Sequence, residues 1–159
     1  MALESLIDTA LAGFKRSREL EAENRSEYKQ WHSELESELE VFLYRAKEMN
    51  LEESSDRHEF YDYIEKFENR LRSLRSRSEA SEAPTQALVE IENLVDLAEN
   101  TDRPVYAVSV NFKETPLERQ RREKKEEERN QRLKKRIEGE VTEFVQQIEL
   151  VRNAFEGDS

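Results

Sequence analysis

The chain has no cysteine, only three glycines and three prolines in 159 residues, and a single tryptophan. Without cysteine there can be no disulfide, no thiol nucleophile and no thiolate metal site. Gly13, Gly139 and Gly157 stand alone, so no glycine-rich loop exists to cradle a phosphate and no cofactor is expected. No stretch approaches the roughly 20 apolar residues that a membrane-spanning helix needs. The opening Met-Ala-Leu-Glu-Ser-Leu-Ile-Asp has neither a basic start nor a continuous apolar core, which predicts no secretion signal and a cytoplasmic location.

What the chain has instead is charge. Charged residues make up 40% and hydrophobic residues 35%, against about 25% and 45–50% in average domains. Few breakers, many charges and a thin apolar fraction predict long helices with narrow buried seams. Seven Phe, five Tyr and the Trp recur at helical spacing, which argues against disorder.

A seven-residue repeat runs through Ile7, Phe14, Glu21, Tyr28, Leu35, Phe42 and Met49, with Leu3, Leu11, Trp31, Leu39 and Ala46 flanking it. This register predicts one continuous helix from 3 to about 49, with Gly13 a possible bend and looser packing over the polar stretch 15–27. After a short polar connection, a second helix is expected to about residue 77, with the seam Phe60, Ile64, Phe67, Leu71 and Leu74. Its start reads as a capping box between Asp56 and Glu59, with Ser55 an alternative cap. The short connection predicts an antiparallel hairpin. Residues 76–84 read as an exposed linker, and 84–100 as a short, well-buried helix. The run 105–112, rich in Val and aromatics, is the one β-favouring stretch, expected to lie extended over helices for want of a second strand. Thr115-Pro116-Leu117-Glu118 is a strong helix start.

The last helix changes character halfway. Residues 118–136 hold ten cations (Arg119, Arg121, Arg122, Lys124, Lys125, Arg129, Arg132, Lys134, Lys135, Arg136) and five glutamates, a net +5 that leaves −16 for the rest of a chain of net charge −11. The following stripe, Ile137, Val141, Phe144, Ile148, Val151 and Phe155, can pack. Three parts result: 1–103, an acidic helical hairpin plus short helix; 104–114, an extended connector; 115–159, the long terminal helix. The expected fold is all-α, an elongated antiparallel helical bundle or coiled coil of three long helices and one short one.

Catalytic constellations are missing. His58-Glu59-Phe60-Tyr61-Asp62 keeps the His-Glu of the helical zinc-protease pattern, but Asp62 stands where the second His belongs. A hairpin would put His32, the other histidine, about 21 Å away. The group is better read as an acidic helix start with a solvated histidine. No Ser or Thr has a base suggested nearby, and with 37 Asp and Glu no particular carboxylate pair stands out.

The basic run has three readings: a solvated helix held by i,i+4 pairs, a docking element for an acidic surface, or a nucleic-acid contact. Its interspersed glutamates and lack of aromatics disfavour the last. These features together predict a non-enzymatic interaction, scaffold or assembly protein with protein partners and no membrane contact. A nucleic-acid-associated protein is the alternative. Homo-oligomerisation is expected through the seam residues Ile7, Phe14, Tyr28, Leu35, Phe42, Phe60, Ile64, Phe67, Leu71, Ile137, Phe144, Ile148 and Phe155, because one thin chain has difficulty covering them all.

Overall fold

The computed structural model describes residues 3–20, 28–104 and 113–156, all helical or loop. Five α-helices follow in order: α1 Leu3–Leu20, α2 Lys29–Glu48, α3 Ser54–Ser76, α4 Thr85–Glu99 and α5 Pro116–Glu156. A 3-10 turn, Ser78–Glu82, joins α3 to α4.

Each helix packs against the next, and α5 returns to pack against α1, so the five close a circuit. The cross-links give the directions. Asp8 near the start of α1 meets Lys47 at the end of α2 at 2.7 Å. Glu38 meets Arg70 at 3.6 Å, Arg75 meets Glu92 at 3.0 Å, and the Gln147 amide donates to the Glu90 carbonyl at 2.9 Å. Each helix therefore runs antiparallel to the one before it, and because the circuit has five members, α5 closes it parallel to α1.

The expected continuous helix from 3 to 49 is overturned. In such a rod Asp8 and Lys47 would be some 58 Å apart at 1.5 Å per residue, whereas they form an ion pair. The seven-residue register marks the buried face of two separate helices, folded side by side. Their antiparallel packing buries both faces at once, which a lone rod cannot do. The expected loosening over 15–27 falls largely outside the described residues, as does the β-favouring run 105–112.

Gly13 does not bend α1, which runs through it. A Cβ there would lie 2.6 Å from the Arg152 Cζ. The missing side chain gives the guanidinium a seat on α1, and Arg152 also binds Glu149 at 2.5 Å and Glu156 at 3.2 Å.

The α2–α3 hairpin forms as expected, but its cap differs. Glu53 is the residue before α3 and no side chain caps the helix there. The Asp56 carboxylate instead accepts the Asn50 amide at 2.8 Å, so it braces the turn rather than closing a capping box. Residues 76–84 are not merely exposed linker, because the 3-10 turn buries Ala80, and Ala83 follows it inward.

The core is aromatic at its centre. The Phe42 ring lies 5.0 Å from Phe67 and 5.2 Å from Phe144, joining α2, α3 and α5. The Trp31 indole, fully buried, donates to the Leu74 carbonyl at 2.7 Å across the α2–α3 interface.

Candidate functional site

The long helix starts as its residues dictate. Thr115 Oγ1 accepts the Glu118 amide at 3.2 Å, and the Glu118 carboxylate accepts the Thr115 amide at 3.4 Å. This reciprocal capping box, with Pro116 at the first helical position, starts α5 without tertiary support. The first buried residue of α5 is Ile137. Everything from Pro116 to Arg136 is exposed or half-buried, so twenty-one residues form an arm that adds nothing to the core.

The root of the arm is fastened at the α2–α3 turn. The Arg57 guanidinium, buried at the turn, donates to the Leu51 carbonyl at 2.7 Å and to Asn130 Oδ1 at 2.9 Å. Lys134 pairs with Glu52 at 2.5 Å, which raises the lysine pKa. Arg136 pairs with Glu140 at 3.0 Å and donates to the Asp102 carbonyl at 3.0 Å. Nothing in the sequence singled out Arg57, because a lone arginine in an acidic helix start looks solvated.

Nearer the tip, Glu114 receives Arg122 at 2.8 Å and Arg119 at 3.7 Å. Arg122, with the help of Arg119, holds the Glu114 carboxyl below its usual pKa. Arg122 also reaches Glu126 one turn on, at 3.1 Å. Four of the ten expected cations, Arg119, Arg122, Lys134 and Arg136, are thus engaged within the chain, and Arg129 is half-buried.

The remaining five, Arg121, Lys124, Lys125, Arg132 and Lys135, are exposed and form no ion pair among the described residues. Their spacing puts them together. At about 100° per residue, all five project within about 60° of the direction opposite the Ile137–Phe155 stripe. Glu123 and Glu126 project to the core side of the arm, so the interspersed glutamates of the sequence are mostly segregated from these cations; Glu128 alone lies among them. The five form two clusters, 121–125 and 132–135, eleven residues or about 16 Å apart along one face. The result is a one-sided cationic stripe on a rigid, exposed helix.

The other sequence candidates scatter. The expected seam residues Ile7, Phe14, Leu35, Phe42, Phe60, Ile64, Phe67, Leu71, Ile137, Phe144, Ile148 and Phe155 are all buried within the single chain, while Tyr28 is half-buried at the bundle end. Folding α1 back onto α2 and α5 covers them, which removes the open apolar seam from which self-association was expected. His58 is exposed beside Arg103, which donates to the His58 carbonyl and pairs with Asp62. His32 is buried at the far end, 3.3 Å from Glu36 and with its ring 4.4 Å from Phe155. No group of three or more His, Asp or Glu suited to a metal ion occurs among the described residues. Among them, too, no helix is long and apolar enough to cross a membrane.

No protein-family model matches the chain, and neither a curated protein nor a solved structure does.

Proposed function

We propose that the protein is a non-enzymatic interaction or assembly factor of the cytoplasm, whose helical bundle is a mount for the basic arm and whose arm docks on an acidic protein surface. The observation that carries this reading is the stripe itself: five exposed cations without ion pairs among the described residues, aligned on one face of a helix that contributes no buried residue before Ile137. A helix half with no fully buried residue needs another reason for its length. Solvated i,i+4 pairs worth about 0.2–0.5 kcal/mol each keep it formed, but they do not require five cations to share one face with Glu128 as its one carboxylate.

A second reading has an observation of its own. Segregation of Glu123 and Glu126 away from the stripe weakens the objection that interspersed carboxylates would repel phosphate. Against it stands the −16 of the remaining chain, which opposes phosphate everywhere except at the arm.

Fluorescence anisotropy separates the two. A Glu-rich helical peptide, a duplex and a single strand are titrated with the wild type and with a variant carrying Gln at 121, 124, 125, 132 and 135. Binding of the peptide that the variant loses is the expected result. Sub-micromolar, steeply salt-dependent duplex binding would establish the second reading instead. Equal behaviour of the two proteins towards all three probes would refute both.

A further inference from the structure

We propose that the cationic stripe docks on a second copy of this chain, in an acid-rimmed groove at the turn between α2 and α3. This rests on the reading of the arm given above and names its partner. The groove is a cavity of about 230 Å³, open to solvent, with Phe42, Phe60 and Tyr63 among its walls. Glu48, Asp56 and Glu59 also line it, with Arg45 the one cation among the lining residues. Arg45 is turned to the Tyr63 ring, its Cζ 4.8 Å from the centroid. Glu48 and Glu59 are exposed and, like the stripe cations, form no ion pair among the described residues.

Two sets of charges of opposite sign thus stand without ion pairs among the described residues: the five cations of the stripe, and Glu48 and Glu59 at the rim of a groove whose lining carries a net charge of −2 (three carboxylates, one arginine). A Lys or Arg side chain suits the groove chemically: its alkyl stem lies on aromatic walls while its head reaches carboxylates. The arm cannot satisfy its own groove. The stripe points away from the body, and the tip cluster 121–125 begins about 18 Å beyond the first buried turn at Ile137.

Placement makes a second copy the fitting occupant. The arm is rooted at the α2–α3 turn through the Lys134–Glu52 pair and the Arg57–Asn130 hydrogen bond, and the groove lies at that same turn. Stripe and groove are therefore at one end of the molecule. Two copies meeting end to end can each extend an arm of about 31 Å towards the other's groove, under two-fold symmetry. The two contacts are then identical and close on themselves. Had the groove been at the far end, the same complementarity would have built an open filament.

Charge exchange tests this without relying on a single variant. One variant reverses the tip cluster (Arg121→Glu, Lys124→Glu, Lys125→Glu) and the other reverses the groove rim (Glu48→Lys, Glu59→Lys). All five positions are exposed, and circular dichroism checks that both variants keep the wild-type helix content. By light scattering at high micromolar concentration the wild type is expected to be dimeric, with each variant alone dissociating at least tenfold more readily. An equimolar mixture should recover the dimer, since both of its contacts again join opposite charges. A monomeric wild type, variants that still dimerise alone, or a mixture that stays monomeric each overturns the proposal. If the wild type is monomeric yet the stripe still retains a Glu-rich peptide, the partner named here is wrong and the arm's role stands. If it is monomeric and retains only duplex, both fall.

Discussion

Two glycines in the middle of helices have opposite surroundings. Around Gly139 nothing lies within 4 Å of the place a side-chain methyl would take, whereas at Gly13 the Arg152 guanidinium occupies that space. Alanine at 139 should therefore stabilise the protein by about 0.5–1 kcal/mol, the ordinary helix-propensity gain. Alanine at 13 must shift the far end of the Arg152 side chain, so its gain should be smaller than at 139; urea denaturation of the two variants checks the order. Tyr63 supplies a pH dependence. Burial, and behind it the Glu38 carboxylate, pushes its hydroxyl from 10.0 up to about 12, and that hydroxyl has no hydrogen-bond partner among the described residues. Because the folded value lies above the unfolded one, this stabilisation is fully present below pH 10 and is lost as pH rises through 12. Tyr63→Phe should leave stability at pH 7 within about 0.5 kcal/mol, since no hydrogen bond is lost, and should make the alkaline loss shallower. Thermal melts across pH 9–12 that superimpose for the two proteins would contradict this.

The last helix is one element with two kinds of stability. From Ile137 onward it is held by α1, α2, α3 and α4, with Phe144 fully buried among Phe42 and Phe67. Before Ile137 it depends on its cap, its side-chain pairs and the fastening at Arg57. Hydrogen exchange should follow that division, with slow amides around 141–151 and fast ones around 119–130. Thr115→Ala removes the cap and should fray the arm by about 1 kcal/mol, while leaving the global unfolding midpoint unchanged. Phe144→Asp places an unpaired charge in the core and should unfold the bundle outright, seen as loss of the cooperative transition. Arg57 acts between the two halves. Its replacement by Leu should cost about 2 kcal/mol from hydrogen bonds to a charged group and quicken exchange at the root of the arm.

At the scale of the molecule, the arm decides the shape. A compact 159-residue domain would have a radius of gyration near 15 Å and a diameter of roughly 40 Å. The 41 residues of α5 span about 61 Å at 1.5 Å per residue. Small-angle scattering should thus give a maximum dimension of at least about 60 Å and a radius of gyration well above the compact value. A near-spherical profile would mean that the arm folds back on the bundle in solution.

Much of the fold was legible because helices are specified locally. Period and punctuation located α3, α4 and the whole of α5, and the Thr115–Glu118 cap was readable from four residues. The same local signals misread α1 and α2, because the spacing of apolar residues reports which side of a helix is buried but not what buries it. Only tertiary structure determined that Ile7 and Phe14 pack back against α2 and α5, where one chain covers seams that the pattern alone left open. The site divides likewise. Composition and order placed ten cations on one half-helix. Which of them are spent on Glu114, Glu52 and Glu140, and which have no ion pair among the described residues, depends on carboxylates that folding brings close from elsewhere in the chain or one helical turn away. A one-dimensional pattern carries side-chain type and phase, while pairing depends on distances set by the packing of the whole bundle.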